Sequence, residues 1–393
     1  MIKIDEKSNQ LPLGDLGIIA LKSSENLGHD VNQFISKWRN NVQKRNISLL
    51  SEAGYRKENY LLDAEFPRFG TGEAKGTVKQ SVRGKDIFIL VDVSNHSITY
   101  SMCEKENRMS PDDHFQDLKR IIAAIGGKAK RITVIMPFLY EGRQHKRSSR
   151  ESLDCALALQ ELVQMGVENI ITFDAHDPRV QNAIPLKSFE SVWPTYQFIK
   201  ALVNKIPDLV LDSAHTMIVS PDEGAMSRSV YYANILGIDM GMFYKRRDYS
   251  IIVDGSNPIV AHEFLGSNIE GKDVIVIDDM IASGGSILDT AKELKKRNAG
   301  RIIVCATFGL FTSGLEKFDN AYEQGIIYRI ITTNLAYQSN EILSKPYYVS
   351  ADMSKFIALL IDTLNHNSSL SELMKPDKKI QEFLRNKKSG SLL

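Results

Sequence analysis

Residues 274–287 combine an apolar strand, a pair of carboxylates and a glycine-rich loop, and this combination restricts the possible folds most. Residues 274–277 are β-branched and apolar, which is typical of a buried strand in a parallel sheet. Asp278 and Asp279 follow, and the small residues 283–286 lead into a helical pattern. A glycine-rich turn into a helix directs backbone N–H groups and the helix dipole at an anion, which favours phosphate. The carboxylates suit sugar hydroxyls or Mg²⁺, so the stretch indicates a site for a phosphorylated sugar.

A second interpretation of this pattern is an ordinary acidic turn with Ser286 as the N-cap of the helix. Two other chemically useful side chains occupy comparable positions, since His176 and Asp222 each follow a short apolar strand. In an open α/β sheet, ligands bind outside the carboxyl ends of the strands. A single His or Asp there is usually a turn or cap residue, but several together favour a functional site.

Strand and helix patterns alternate along the rest of the chain, which predicts an α/β fold with parallel sheets. Ser24 is a candidate N-cap for a helix with apolar residues at helical spacing, and a final helix is expected over residues 354–365. The glycine-rich segment 68–76 superficially suggests a phosphate loop. Its lysine is misplaced and is not followed by Ser or Thr, so a hairpin turn on an edge strand is the better interpretation.

Length and composition narrow the function classes. A chain of 393 residues has room for two domains, and 43% hydrophobic and 25% charged residues are ordinary for a globular protein. The net charge of +1 gives no reason to propose nucleic acid or an anionic membrane as a partner. Three cysteines without metal or disulfide spacing indicate a reducing compartment. With neither a membrane-length apolar run nor a signal peptide, we expect a cytoplasmic protein.

Six further segments carry a resemblance that extends over roughly residues 16–375. They are residues 81–86 (SVRGKD), 137–144 (PFLYEGRQ), 173–176 (FDAH), 220–222 (SPD), 244–247 (YKRR) and 268–273 (NIEGKD). In this order, and together with the loop after Asp278, they resemble the motifs of the ribose-phosphate pyrophosphokinases. The simple phosphoribosyltransferases are shorter and lack the RQ and KRR segments, so they are a much less probable match.

The resemblance implies an α/β fold of two similar phosphoribosyltransferase-like domains, each a mainly parallel sheet flanked by helices. The expected first domain covers residues 1–192, with an insertion at about 42–65, and is completed by residues 336–393. The expected second domain covers residues 193–335 and carries the ribose-phosphate loop. The final helix would then return to the first domain.

The resemblance also implies the reaction, which is transfer of a pyrophosphoryl group from Mg-ATP to O1 of ribose 5-phosphate. The products would be phosphoribosyl pyrophosphate and AMP, for nucleotide biosynthesis, and the enzyme would be a homo-oligomer, either a dimer or a hexamer. The catalytic cations would be Lys245 and Arg247, on a loop that closes over ATP. The binding residues would be Phe69, Glu73, Arg143, Gln144 and His176 for ATP; His176 and Asp222 for Mg²⁺; and Asp278, Asp279, Ser283, Gly284, Gly285 and Ser286 for ribose 5-phosphate.

Some residues depart from the family's pattern. Ala282 stands where the ribose-phosphate loop of the family has an aspartate, and Thr71 stands where its ATP loop has Asp or Asn. Pro178 and Arg179 alter the loop after His176, which in the family helps to form a regulatory phosphate site. These changes support an alternative, a non-catalytic regulatory or assembly subunit of the same fold. The retained basic and acidic site residues favour an active enzyme.

Overall fold

The structure is a computed structural model, and it describes residues 11–41, 54–247 and 259–388. The chain divides into two compact units and passes between them several times. The first unit comprises Met1–Trp193, Asn334–Tyr337 and Asp352–Lys375, and the second comprises Pro194–Thr333, Gln338–Ala351 and Pro376–Leu393.

The strands of the described chain are β1 (Leu16–Ala20), β2 (Ala64–Glu65), β3 (Thr77–Val78), β4 (Asp86–Leu90), β5 (Thr99–Met102), β6 (Lys105–Arg108), β7 (Arg131–Ile135), β8 (Asn169–Phe173), β9 (Ser188–Val192), β10 (Thr216–Ser220), β11 (Met240–Arg247), β12 (Ile259–Leu265), β13 (Asp273–Ile281), β14 (Ile302–Gly309), β15 (Arg329–Thr333) and β16 (Tyr348–Ala351). The α-helices are α1 (Glu25–Asn40), α2 (Pro111–Ile125), α3 (Asp154–Gln164), α4 (Thr195–Lys205), α5 (Met226–Leu236), α6 (Gly285–Lys296), α7 (Glu316–Glu323), α8 (Asn340–Leu343), α9 (Ser354–Asn365), α10 (Ser371–Met374) and α11 (Asp377–Lys388).

A parallel sheet forms the centre of the first unit, with the strand order β1-β4-β7-β8-β9. Every residue of β4 is buried, because helices cover the sheet and leave no face of this central strand to water. Ser110 begins α2 with a capping box to Asp113. Ser24 lies at the N-cap position of α1, as predicted. Its buried Oγ makes no hydrogen bond to the helix, so the predicted side-chain cap is wrong.

Two short antiparallel hairpins accompany this sheet. One pairs β2 with β3, and its loop is closed further by a bridge between Arg68 and Ala74. The glycine-rich segment 68–76 therefore lies in a hairpin, as the sequence predicts. The other pairs β5 with β6 through a two-residue turn at Cys103 and Glu104, both of which have positive φ.

The sheet of the second unit has the strand order β12-β11-β10-β13-β14-β15-β16 and is parallel except where β11 meets the edge strand β12. β13 is longer than the four-residue strand that the sequence predicts, because its pairing with β14 continues to Ile281 opposite Gly309. Asp278 and Asp279 therefore lie within the strand and not after it. The predicted fold class, with mainly parallel sheets flanked by helices, is confirmed.

The division into units differs from the expected domains at the C-terminal segment. As expected, α9 belongs to the first unit. Gln338–Ala351 and Pro376–Leu393, which we expected there too, belong to the second unit. The reason is that β16 pairs with β15, and Gln381 of α11 donates a hydrogen bond to the carbonyl oxygen of Ile235.

The expected insertion at 42–65 is described only in part. Residues 42–53 lie outside the described residues. Residues 54–65 contain no helix, and Leu61 forms an isolated β-bridge with Ile18 of β1. Within the three described ranges, no helix combines the length and the apolar character that crossing a membrane requires.

Candidate functional site

In the second unit, the end of β13, the loop after it and the start of α6 form one continuous site. The N-cap of α6 is Gly284, whose φ is 83°, so the N-cap role weighed for Ser286 is wrong. A Cβ on Gly284 would lie 2.1 Å from the ring of Phe318, so a side chain is excluded by space as well as by backbone conformation. Ser283 and Ser286 are exposed beside the first turn of α6, where backbone N–H groups and the helix dipole favour an anion.

The paired carboxylates differ in burial. Asp279 is 5% exposed, whereas Asp278 is half-buried, and the backbone N–H of Asp279 donates to Asp278 Oδ1 at 2.9 Å. Burial raises the pKa of Asp278 well above its ordinary value, and the negative charges of Asp279 and Asp222 raise it further. The ends of β10 and β13 therefore concentrate negative charge that a cation or hydroxyl donors would stabilise.

Arg228, on the buried face of α5, is a site residue that sequence reasoning missed. Its Nη2 lies 3.6 Å from Asp279 Oδ2, and its Nη1 donates to the carbonyl oxygen of Gly224 at 3.3 Å. The guanidinium is 7% exposed, so its charge directly balances part of the acidic cluster. The spacing of four residues to the buried Tyr232 signals only that Arg228 faces the core, not that it approaches Asp279.

Asp222 and His176 were the predicted metal ligands. Asp222 Oδ1 accepts from the backbone N–H groups of Gly224 at 3.0 Å and Ala225 at 3.3 Å, so its carboxylate is held in the turn before α5. In residues 11–41, 54–247 and 259–388, no group of three or more His, Cys, Asp or Glu side chains could hold a metal ion. Mg²⁺ is commonly bound by one or two carboxylates with water and substrate phosphates. The Asp222 carboxylate, held in its turn, therefore suits a magnesium ion that arrives with a nucleotide.

The two predicted catalytic cations lie on β11. Lys245 is opposite His262 of β12 and Arg247 is opposite Ile259, with a register shift between Arg246 and Arg247. The loop that we expected to be mobile and to close over ATP, residues 248–266, falls mostly on residues 248–258, which lie outside the described residues.

Phe69 and Glu73, predicted to bind ATP, lie together in the β2–β3 hairpin. The backbone N–H of Phe69 donates to the carbonyl oxygen of Glu73 at 2.7 Å, and Thr71 Oγ1 donates to the Glu73 carboxylate at 3.0 Å. The Phe69 side chain is 54% exposed, so its ring can stack on a planar ligand. Thr71, although it departs from the family's pattern, thus fixes the orientation of Glu73.

Arg143, Gln144 and His176 lie in the first unit, after β7 and β8. Arg143 is exposed, whereas Gln144 Nε2 donates to the carbonyl oxygen of Ser152 at 2.9 Å, which anchors the loop that carries both residues. His176 is exposed, and its ring centroid lies 5.4 Å from that of His145. The buried Nδ1 of His145 has no hydrogen-bond partner in the described part of the chain.

Beyond His176, Asp177 and Arg179 form a local ion pair. Arg179 Nε lies 2.9 Å from Asp177 Oδ1, and the backbone N–H of Arg179 donates to the same oxygen at 2.9 Å. The hydrogen bond from the Arg179 side chain is the largest influence, and together with the backbone bond it lowers the pKa of Asp177 to about 2. The guanidinium of Arg179 is therefore engaged by Asp177.

Comparisons with known proteins identify the family of the chain. Residues 16–166 match the N-terminal domain of ribose phosphate pyrophosphokinase, and residues 195–336 match the phosphoribosyl transferase domain. A ribose-phosphate pyrophosphokinase of Vibrio parahaemolyticus is 26% identical over 317 residues, which cover 80% of this chain and 91% of the relative. One from Fusobacterium nucleatum is 28% identical over 332 residues, covering 84% and 95%.

The fold comparison gives the same family. A phosphoribosylpyrophosphate synthetase from Mycobacterium smegmatis superposes with a TM-score of 0.69 at 22% identity, covering 90% of this chain and 100% of that one. At this identity the likeness concerns the fold. The two family models, however, cover most of the chain in the family's order. The chain therefore belongs to the ribose-phosphate pyrophosphokinases, a family of transferases that make phosphoribosyl pyrophosphate for nucleotide biosynthesis.

Proposed function

We propose that this protein transfers the pyrophosphoryl group of Mg-ATP to O1 of ribose 5-phosphate and releases AMP. The observation that carries the proposal is the continuous arrangement of two strand carboxylates, a left-handed glycine and a helix N-terminus in residues 278–286. This arrangement offers hydroxyl acceptors and a phosphate-binding helix start on one short segment.

In the proposed complex, Asp278 and Asp279 accept hydrogen bonds from the ribose hydroxyls. Ser283, Gly284, Gly285 and Ser286 surround the 5-phosphate with hydroxyl and backbone N–H donors. Arg228 orients Asp279, because its nearly buried guanidinium lies 3.6 Å from that carboxylate. Ala282, which replaces a family aspartate, contributes its carbonyl oxygen to a hydrogen bond from the backbone N–H of Thr312 at 3.0 Å. That bond braces the loop without a carboxylate.

The nucleotide would be bound by Phe69 against the adenine, Glu73 beside it, and Arg143, Gln144 and His176 along the phosphates. Bound Mg²⁺, held by Asp222 and His176, would neutralise charge on the phosphates. Lys245 and Arg247 would approach the non-bridging oxygens of the transferred group. In phosphoryl transfer most of the rate enhancement comes from positioning the reactants and from such cations. The protein needs to form no covalent bond to the attacking hydroxyl or to the leaving AMP.

The decisive experiment measures AMP release from ATP with and without ribose 5-phosphate, in the wild type, in Asp279→Asn and in Asp289→Asn. We expect AMP release that depends on ribose 5-phosphate, a strong loss in Asp279→Asn, and no loss in the control, because Asp289 is an exposed residue of α6. No release in the wild type at any ribose 5-phosphate concentration would instead support the non-catalytic subunit.

We also infer a cytoplasmic homo-oligomer. All three cysteines are free thiols, two of them buried, which suits a reducing compartment. Analytical ultracentrifugation tests the assembly state, and a monomer at micromolar concentration would contradict the inference.

A further inference from the structure

A cavity of about 770 Å³ lies in the first unit, beside the end of β1 and the start of α1. Its volume falls in the range of small-molecule sites, about 300–1,000 Å³. Apolar side chains form much of the wall, namely Leu21, Leu61, Phe66, Ile98 and Met109. None of its lining residues belongs to the ATP, ribose 5-phosphate or metal sets proposed above.

The charges of the wall disfavour an anion. Four carboxylates line the cavity, those of Glu25, Asp63, Glu65 and Asp117, against the two cations Lys22 and Arg68. Arg68 is already engaged: its Nη2 lies 2.9 Å from Asp117, and its guanidinium carbon lies 4.6 Å from the centroid of the Tyr100 ring. Arg68 and Asp117 thus balance each other, and Lys79 pairs with Glu65 at 2.6 Å. Two carboxylates, Glu25 and Asp63, remain against Lys22, so a phosphate group would meet more negative than positive charge.

The polar groups of the wall favour a ligand with N–H donors. His114 is 2% exposed, and its Nε2 lies 2.7 Å from the carbonyl oxygen of Asn95, which can only accept, so Nε2 carries the proton. Burial lowers the pKa of His114 and keeps the ring neutral. The Nδ1 of this neutral ring is then a hydrogen-bond acceptor. Asn59 accepts from the backbone N–H of Leu61 at 3.0 Å, which leaves its amide N–H groups to donate to a ligand.

The cavity touches both segments that hold the proposed ATP loop. One wall, Phe66 to Arg68, leads directly into Phe69–Glu73, and another, Ile98 to Tyr100, leads into the β5–β6 hairpin. The tip of this hairpin holds the loop, because the backbone N–H of Cys103 donates to the carbonyl oxygen of Gly70 at 2.8 Å. Met102 packs there as well: a Cβ on Gly72 would lie 2.6 Å from its Sδ. A ligand in the cavity would thus contact the roots of both elements.

We propose that this cavity is a regulatory site for an uncharged or cationic nitrogen heterocycle without phosphate, such as a nucleoside, and that its occupancy changes the position of the ATP loop. The effect on the ATP loop rests on the proposed function, whereas binding to the cavity does not. An apolar wall suits the body of such a ligand, and the acceptors of the wall match its N–H groups.

Isothermal titration calorimetry of the full chain, without ATP, tests the binding with adenosine, guanosine, cytidine and uridine, and with AMP as the phosphorylated comparison. At least one nucleoside should bind, and AMP more weakly than adenosine. Thr99→Trp, which fills the cavity, and Asn59→Ala, which removes the amide donors, should each weaken binding by about tenfold or more. Asn107→Ala, on the same hairpin but outside the cavity, should bind as the wild type does.

Phe69→Ala separates this cavity from the ATP site, because it removes the proposed adenine contact and should leave nucleoside binding to the cavity intact. In the wild type, the nucleoside should change the KM for ATP by about fivefold or more and leave the KM for ribose 5-phosphate unchanged. The proposal is overturned if no nucleoside binds, if neither cavity variant weakens binding, or if AMP binds the cavity more tightly than adenosine. Since calorimetry needs no turnover, an inactive protein would refute the proposed function without affecting this result.

Discussion

Arg39 and Asn365, 326 positions apart in the chain, are joined by a buried hydrogen bond of 2.7 Å from the guanidinium Nη2 to the amide Oδ1. Arg39 also donates to Asp362 at 2.9 Å, and its guanidinium lies over the rings of Tyr55 and Tyr60. Asn365 in turn donates to Asp86 of β4 at 2.9 Å. This network attaches α9 to α1 and to the sheet of the first unit.

Replacing Arg39 by Met should destabilise the protein strongly, by about 3–5 kcal/mol, because Asp362 and Asn365 lose their buried partner. Lys37→Met is the matched control, since Lys37 is exposed on the same helix. Urea unfolding followed by circular dichroism measures both variants. The double variant Arg39→Met, Asp362→Leu should recover much of the loss, and equal midpoints for Arg39→Met and the control would contradict the importance of this network.

Gly284→Ala should impair the ribose-phosphate loop. A left-handed backbone costs a residue with a Cβ about 1–2 kcal/mol, and the contact with Phe318 adds about 1–3 kcal/mol of overpacking. We expect a lower melting temperature and weaker binding of ribose 5-phosphate by calorimetry. Asp289→Ala is the control, because Asp289 is an exposed residue of α6 outside the loop. Equal affinities in the two variants would show that the conformation of Gly284 does not matter for binding.

Lys245→Ala should lower kcat by about 100- to 1,000-fold while the affinity for ribose 5-phosphate stays nearly unchanged, since the cation is needed as charge develops on the transferred group. Steady-state kinetics and calorimetry measure the two quantities. Lys292→Ala, an exposed residue of α6, should behave as the wild type. An unchanged kcat in Lys245→Ala would remove this residue from the mechanism.

Activation by phosphate should be weak or absent, and ADP should inhibit mostly in competition with ATP. Pro178 has no N–H to donate, and Arg179, the cation nearest in sequence, is bound to Asp177. Initial rates against phosphate concentration, at fixed free magnesium, measure the response. Asp177→Ala should release the Arg179 side chain and increase the activation by phosphate. A steep sigmoidal activation of the wild type would show that the regulatory phosphate site of the family survives here.

Asp92 should make stability fall as the pH rises from about 4 to 6. It accepts hydrogen bonds from Ser94 and from the backbone N–H of Tyr337, yet its burial raises its pKa from 3.8 to about 6. The folded state binds the Asp92 proton more tightly than the unfolded state does. The free energy of unfolding therefore falls as the pH rises from the unfolded pKa to about 6, and it stays level above that pH. The difference in unfolding free energy between wild type and Asp92→Asn should follow this course, and a difference independent of pH would exclude the raised pKa.

The sequence predicts the parts of the site that depend on local order in the chain. The succession of strand, carboxylates, glycine loop and helix at 274–287 needs no distant partner, and neither does the final helix over residues 354–365. The predicted end of β13 is wrong because Asp278 and Asp279 interrupt the apolar pattern, and only the pairing with β14 as far as Ile281 shows that the strand continues past them.

Features that depend on distant contacts were not predictable from the sequence in this way. The β5–β6 hairpin has Cys103 and Glu104 at its turn, and neither is a typical residue for positive φ, so no turn signal marks it. The role of Arg228 depends on Asp279, far along the chain. β16 is too short to be assigned from its pattern, and its pairing with β15 decides to which unit it belongs.

Because segments of the two units alternate along the chain, the ribosome synthesises part of the second unit before the first unit is complete. Strands β1 to β9 are synthesised first, whereas α9, with Asp362 and Asn365, follows only after Pro194–Thr333 of the second unit. Until then the charge of Arg39 has neither of these partners. The nascent first unit therefore stays incomplete throughout translation of most of the second, and exposes the surface of α1 that α9 later covers. The first unit closes only once α9 has been synthesised.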